Sequence, residues 1–293
     1  MVGNTQNKHL AFVRIRLLPV FTAMLGLMSA MPILSFADDA RQLLSPPEFH
    51  QVLKDANPAY AGDAKLATSS VGGVIAAELA GTAVTDISPL QGVMLIGLDL
   101  RGLPVRDLTP LSGMPLRQLF LENTPVTDIT PLSGMPLEQL YLNQTGVSDL
   151  APLGGMKLGL LNLLGCPVKD LTPLKNMPLR LLWLNQTRVT DITALAQCPL
   201  ESLTLHRTRV SDLTPIAGSG LKRLHIGETA VQDLTPLAAM QLTRLIFTPG
   251  EIRKGLKAVR AMPSLKEIGT TFENRQPAEQ FWRQYDQRAD GEK

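Results

Sequence analysis

The residues with the clearest capacity for chemistry are eight aspartates spaced 21 positions apart, of which five open the phrase D-[LI]-[ST]-P-L and three open close variants of it. They are Asp86, Asp107, Asp128, Asp149, Asp170, Asp191, Asp212 and Asp233. A carboxylate at this place can accept backbone N–H groups of a short turn, and proline favours the start of such a turn. A ladder of cation sites is the alternative, but the repeat has no second acidic column, and Ca²⁺ needs six to eight oxygen ligands. We therefore predict a structural role for the column and no metal.

A second column carries aromatic side chains. Phe120, Tyr141 and Trp183 occupy the same position of three repeats and are three of the chain's thirteen aromatic residues. If each repeat supplies one parallel strand, Phe120 lies about 4.8 Å from Tyr141, and Trp183 lies two strands further on, roughly 10 Å away. The alternating pattern places this column on the solvent side of the sheet.

Polar residues border the aromatic column. Asn143 and Asn185 each precede a glutamine just past the predicted strand, and Arg223 and His225 give the far end a basic bias. An aromatic stripe edged by amides is typical of a binding surface. The alternative is that the rings only support each other across strands. The predicted partner-binding residues are Phe120, Tyr141, Trp183, Asn143, Asn185, Gln186, His225 and Arg223.

Signatures of catalysis are missing from the sequence. It contains no G-x-S-x-G or H-E-x-x-H motif, and His206 and His225 have no evident third ligand or orienting carboxylate. We predict a protein that is not an enzyme and uses no cofactor.

The elements that position these columns repeat with the same period. Each unit contains an L-x-x-L-x-L frame, for example Leu116, Leu119 and Leu121, followed by a small polar residue, usually Thr, and a Val two places on. The L-x-L alternation is that of a strand with one buried face. One unit is too short to bury that face alone, so neighbouring units must stack. The threonine hydroxyls are expected to bond the backbone of the neighbouring coil.

The frame L-x-x-L-x-L-x-x-T-x-V-x-D-L-x-P-L resembles a bacterial leucine-rich repeat, and its D-[LI]-[ST]-P-L phrase is similar to internalin-type repeats. The G-M-P-L junctions and the C-terminal ending resemble planctomycete-type repeat regions, some of which are attached to kinases. The kinase motifs are absent here. The resemblance implies an α/β solenoid: a curved right-handed coil, a parallel sheet on the concave face, short turns or 3-10 segments on the convex face, and helical caps.

The N-terminal segment is typical of an export signal. Three basic residues precede an apolar run over 17–36, and Ser35-Phe36-Ala37 fits a cleavage site. An uncleaved membrane anchor is the alternative, because about 20 apolar residues span a bilayer. Residues 1–37 hold 3 of the 28 Lys+Arg and none of the 26 Asp+Glu, so the remainder, with 25 basic and 26 acidic residues, has a net charge of about −1. A nucleic-acid partner is therefore not expected.

The segments outside the repeats are predicted to cover the solenoid's ends. We expect domains at 1–37 (signal peptide), 38–73 (N-terminal cap, a short helix plus a hairpin strand), 74–250 (repeats) and 251–293 (C-terminal cap and tail). A capping box at Ser45 begins the first helix, and Gly72-Gly73 turns the hairpin. A helix is expected over 251–262, and a final helix opened by Pro277 carries an aromatic trio. Terminal caps are needed because an open repeat exposes its core.

These observations predict a non-enzymatic protein that is exported to the periplasm or the extracellular space and binds a protein through its concave sheet. Two alternatives stay open. One is a carbohydrate-binding module that stacks sugar rings on the Phe120, Tyr141 and Trp183 stripe. The other is a membrane-tethered sensor ectodomain, if the N-terminal segment is kept. Cys166 and Cys198 fall in different columns and are expected to be small buried residues.

Overall fold

The computed structural model describes residues 42–291 and contains one twelve-stranded sheet whose strands are ordered β1 to β12 along the chain. Strands β2 to β11 run parallel, while β1 and β12 pair antiparallel at the two ends. A 3-10 segment alternates with each repeat strand. The predicted leucine-rich repeat solenoid is confirmed, whereas the predicted signal segment lies outside the described residues.

The strands are β1 Lys65–Thr68, β2 Val74–Glu78, β3 Gly97–Asp99, β4 Gln118–Phe120, β5 Gln139–Tyr141, β6 Leu160–Asn162, β7 Leu181–Trp183, β8 Ser202–Thr204, β9 Arg223–His225, β10 Arg244–Ile246, β11 Glu267–Gly269 and β12 Gln276–Pro277. The helices are α1 Pro46–Ala56, α2 Leu256–Arg260 and α3 Ala278–Gly291. The 3-10 segments are Ser88–Leu90, Thr109–Leu111, Thr130–Leu132, Ala151–Leu153, Thr172–Leu174, Thr193–Leu195, Thr214–Ile216, Thr235–Leu237 and Pro249–Glu251.

Each repeat strand is three residues long and points its middle residue inward. The middle leucines of β3 to β10 are at most 1% exposed and pair in register, as Leu119 does with Leu140. They share one continuous core with the valine and 3-10 leucine columns. The first and third residues of each strand therefore point to the opposite side, which we call the outer face of the sheet.

The aspartate column closes the turn that leads into each 3-10 segment. In all eight repeats the aspartate Oδ1 accepts the N–H of the residue two places on, at 2.7–2.8 Å. At Asp191 the hydroxyl and the N–H of Thr193 lower the carboxyl pKa. The predicted structural role is confirmed: the carboxylate satisfies a backbone donor that the short segment leaves unpaired.

The threonine column works differently from the prediction. The hydroxyl of Thr145 donates to the Leu142 carbonyl of its own coil at 2.7 Å, and Thr124, Thr187 and Thr208 repeat this bond three residues back. The expected bond to the neighbouring coil is therefore wrong for threonine, because the strand turns sharply enough to bring its own carbonyl within reach. Cys166, in the same column, does contact the preceding coil, where its thiol donates to the Leu142 carbonyl at 3.0 Å.

Both cysteines are buried, as expected, and neither forms a disulfide. Burial raises the pKa of each thiol. Cys198 lies near the Leu174 carbonyl at 3.4 Å, again one coil back.

The type of turn after each 3-10 segment depends on the residue at the second corner of that turn. Ser112 at φ −56°, ψ 129° and Gly113 at φ 69° form a type II turn, which favours glycine at the left-handed corner. Two repeats lack glycine or asparagine there, and their Ala196 and Ala238 adopt right-handed angles instead, near φ −55°, ψ −29° and φ −58°, ψ −35°. The solenoid accepts either turn without a change of period.

The elements at both ends of the described residues contact the same core. Helix α1 begins after Ser45, whose N–H donates to the Glu48 carboxylate at 2.8 Å, and it buries Phe49 and Leu53 completely. The predicted first helix and the hairpin of β1 and β2 are present. From α3, Phe281 and Trp282 are 7% and 6% exposed and belong to the core cluster. The division into caps and repeats stays a prediction.

The helix predicted over 251–262 is largely wrong. A 3-10 turn at Pro249–Glu251 occupies its start, and α2 covers only Leu256–Arg260. Gly255 adopts φ +82°, and a Cβ added there would meet the Thr235 nitrogen at 2.3 Å. The close approach of the preceding coil holds Gly255 outside the helical region, so the helix begins one residue later.

Leu160 and Leu161 provide a direct test of which side chains face inward. Leu161 is fully buried, whereas its neighbour Leu160 lies half-buried on the outer face. We expect Leu161→Ala to lower the free energy of unfolding by about 3 kcal/mol, since buried leucine-to-alanine changes cost about 2–5 kcal/mol. Leu160→Ala should cost well under half as much. Urea unfolding followed by circular dichroism measures both, and equal losses would contradict the assigned orientation.

Candidate partner-binding face

The outer face carries its side chains in straight columns because the strands pair in register. Phe120 lies beside Tyr141, Tyr141 beside Asn162, and Asn162 beside Trp183. The next strands continue this line with Thr204, His225 and Ile246. The structure therefore brings the predicted aromatic residues onto one face in the predicted order.

Phe120 is buried, which corrects the expectation that the whole column faces solvent. Its ring is only 4% exposed and stacks on Tyr141 with centroids 4.8 Å apart and planes 15° apart. The Arg101 guanidinium carbon lies 5.8 Å from the ring centroid, and Ala76 packs against the ring. Phe120 is thus enclosed by its neighbours and supports Tyr141. Three further members of the column are also buried by their neighbours: Asp99, His225 and Ile246.

Tyr141 and Trp183 stay half-buried and reach the surface. Burial, with Glu122 nearby, raises the pKa of Tyr141 to about 12, so its hydroxyl stays protonated. Trp183 lies between Asn162 and Thr204 on the adjacent strands. Within the described part of the chain no aromatic ring stacks on it.

Two leucines between these aromatic residues were missed by the sequence analysis. Leu160 and Leu181 are in-register neighbours on the outer face, and both are half-buried. The sequence did contain a signal for them: other repeats carry Gln, Ser or Arg at this strand position, so two leucines there are unusual. We call Tyr141, Leu160, Leu181 and Trp183 the central patch. Apolar side chains grouped at a surface in this way are common in interaction surfaces.

The predicted amides lie along the edge of the central patch. Asn185 accepts the His206 N–H at 3.0 Å, which fixes its carboxamide, and Gln186 is exposed at a left-handed φ of 60°. Asn143 is half-buried, and its Oδ1 has no hydrogen-bond partner among the described residues. Asn185 therefore serves the strand edge, while Gln186 is free to contact a partner.

An acidic cluster that the sequence analysis did not single out lies at the N-terminal side of the patch. Asp99 is fully buried and receives the Arg101 guanidinium on both carboxylate oxygens. Glu122 is 6% exposed, and burial raises its pKa to about 7, opposed by the charge of Arg101. The neighbouring Gln118 is 2% exposed, and neither carboxamide atom has a protein partner among the described residues.

The two histidines of the C-terminal half lie against each other. His206 and His225 stack with centroids 4.8 Å apart, and the His206 Nδ1–H donates to the Gly227 carbonyl at 2.9 Å. His225 is 8% exposed, and burial together with His206 lowers its pKa to about 3. A Cβ at Gly227 would lie 3.1 Å from the His225 ring, so glycine makes room for the pair. No group of three metal-ligating side chains occurs within residues 42–291.

Arginines dominate the C-terminal end of the outer face. Arg223 is exposed at the start of β9, and Arg244 lies beside it on β10. Arg244 pairs with Glu267, and Arg207 pairs with Glu228 at 2.7 Å. Within the described residues Arg223 has no carboxylate at ion-pair distance.

Comparisons with known proteins support this description at the level of the fold. No protein-family model matches the chain, and no curated protein matches it. Among solved structures, internalin InlF from Listeria monocytogenes is 26% identical with a TM-score of 0.55, covering 75% of this chain and 73% of that one. Internalin C2 from the same species is 24% identical with a TM-score of 0.55, covering 68% and 92%. The leucine-rich repeat ectodomain of the Arabidopsis receptor kinase HAESA is 15% identical with a TM-score of 0.52, covering 69% and 45%.

The 21-residue coils, the parallel sheet and these neighbours define a leucine-rich repeat fold. Within that class the chain is similar to the bacterial internalins. The narrower resemblance to planctomycete-type repeats stays a prediction.

The buried Glu122 carboxyl should give the free energy of unfolding an unusual dependence on pH. Its pKa of about 7 in the folded chain exceeds the ordinary value of 4.5, so between these values the folded state holds more protons than the unfolded state. Stability should therefore fall as pH rises from about 5 to 7, by about 3 kcal/mol at most. Glu122→Gln should remove this component.

Urea unfolding of the wild type and of Glu122→Gln from pH 5 to 8 measures the difference directly. The exposed Glu251 offers a matched control, since Glu251→Gln should leave the wild-type pH profile unchanged. Parallel profiles for the wild type and Glu122→Gln would show that the carboxyl is solvated and titrates normally.

Proposed function

We propose that this chain is a non-enzymatic, exported scaffold that binds a protein partner through the outer face of its sheet. The observation that carries the proposal is the central patch: four half-exposed apolar side chains on a face whose buried core is already complete without them. Aromatic and apolar anchors with a polar rim are typical of protein interfaces. The neighbours add support, since the HAESA ectodomain was solved with a peptide hormone ligand.

The export part of the proposal rests on the N-terminal sequence. A basic start, an apolar run over 17–36 and small residues before Asp38 favour cleavage and release. Over residues 42–291, no helix combines the length and the apolar character needed to cross a membrane.

Removal of the central patch should abolish binding without unfolding the chain. We expect Leu181→Ser with Trp183→Ala to lose the partner that the wild type captures from native envelope and culture fluid, because both side chains are half-exposed and the core leucines are untouched. Quantitative mass spectrometry of the captured proteins measures the loss.

Val71 is the matched control because it is 79% exposed on the hairpin turn, away from the patch. Val71→Ser should retain the partner, and all variants should unfold at nearly the same temperature. Identical captured sets for the patch variant and the wild type would refute the proposal. Saturable binding to a glycan array that depends on Trp183, with no captured protein, would favour a carbohydrate ligand instead.

Cleavage of the export signal can be tested on the secreted protein itself. N-terminal sequencing should begin at Asp38. A chain that retains residues 17–36 and remains in the membrane fraction would instead indicate a tethered ectodomain.

A further inference from the structure

Two cations near the C-terminal end of the sheet, Lys222 and Arg223, have no carboxylate at ion-pair distance among the described residues. Arg223 and Arg244 are direct neighbours on β9 and β10. Like charges placed opposite each other destabilise a sheet, and only Arg244 is neutralised, by Glu267. Lys222 and Arg223 are both exposed and have no ion-pair partner among the described residues. The juxtaposition of Arg223 and Arg244 costs stability, and no ion pair within residues 42–291 offsets it at Arg223.

The opposite end of the face differs in kind. There Asp99 is fully buried and accepts the Arg101 guanidinium on both carboxylate oxygens, and Glu78 pairs with Lys65. Glu122 is buried beside them, with a pKa near neutrality. The free charge of the outer face is therefore positive and lies on one side of the central patch only.

The distance between the patch and the free cations is set by the strands. Leu181 of the central patch and Arg223 occupy the same position of β7 and β9, with Ser202 of β8 between them, so two strand spacings, roughly 10 Å, separate them. The intervening outer-face residues, Ser202 and Thr204, are small. An extended peptide advances about 3.3 Å per residue, so three residues cover this distance.

We infer that the partner docks with an extended segment crossing β7 to β9, whose apolar side chain enters the central patch and whose Asp or Glu, about three residues away, meets Arg223. This inference rests on the proposed function and names the chemistry of its partner. The apolar anchor supplies the area that is removed from water, and the carboxylate selects the register, because charge complementarity at an exposed site acts mainly on specificity and association rate.

A random twelve-residue peptide library displayed on phage and selected against the immobilised full-length chain tests this inference. Selection should enrich peptides with a large apolar residue and an Asp or Glu three residues away. With Arg223→Glu as the target, the enriched residue at that spacing should change to Lys or Arg. Wild-type-selected peptides should bind Arg223→Glu at least tenfold more weakly.

Arg209→Glu is the matched control. Arg209 is exposed like Arg223, but it lies in the loop after β8 rather than on a strand. It makes the same charge change in the preceding repeat and should keep the wild-type peptide preference. All three proteins should unfold at the same temperature.

The other outcomes separate the two proposals. Peptides that require Trp183 but show no acidic preference, or that ignore Arg223→Glu, overturn the inference and leave the proposed function standing. No enriched peptide, or peptides insensitive to Trp183→Ala, overturns both. Heparin binding that depends on Arg223 but not on Trp183 would overturn the inference in favour of a polyanion.

Discussion

The structure depends on leucine side chains that can be buried only by the next coil. A single unit holds about one short strand and one 3-10 turn, which is too little to enclose its own apolar face. Burial therefore requires that successive coils match in length, and the unbroken 21-residue spacing of the aspartates supplies that match. Register follows from it: Leu119 meets Leu140, and every outer position meets its equivalent on the neighbouring strand.

This constraint divides the chain into residues that serve the coil and residues that are free to vary. The inward leucines, the aspartate Oδ1 and the threonine hydroxyl have the same partner in repeat after repeat. The outer positions have no partner that recurs in every repeat, and the repeats differ most at these positions. The central patch, the buried acidic cluster around Asp99 and the exposed Arg223 all arise from that freedom. The outer side chains can therefore differ from repeat to repeat without altering the geometry of the sheet that carries them.

The period explains what could be predicted from sequence and what could not. Spacing alone determines which side chains are neighbours, so the fold, the aspartate turns and the order of Phe120, Tyr141 and Trp183 followed from it. Exposure depends on the size and charge of those neighbours. Phe120 is covered by Arg101 and Tyr141, which no periodicity encodes. The helix expected near Gly255 failed for a similar reason, because a contact from the preceding coil overrides local helical pattern. The assignment of partner-binding residues remains a prediction.

The sheet ends in antiparallel strands on both sides, where β1 folds back on β2 and β12 on β11. Everything between these borders is modular, since each coil receives from its predecessor the same interface that it offers to its successor. Duplication or loss of 21 residues at any internal boundary leaves both borders intact and changes only the span of the ribbon. Gene-level slippage can therefore lengthen or shorten this molecule without a new folding solution.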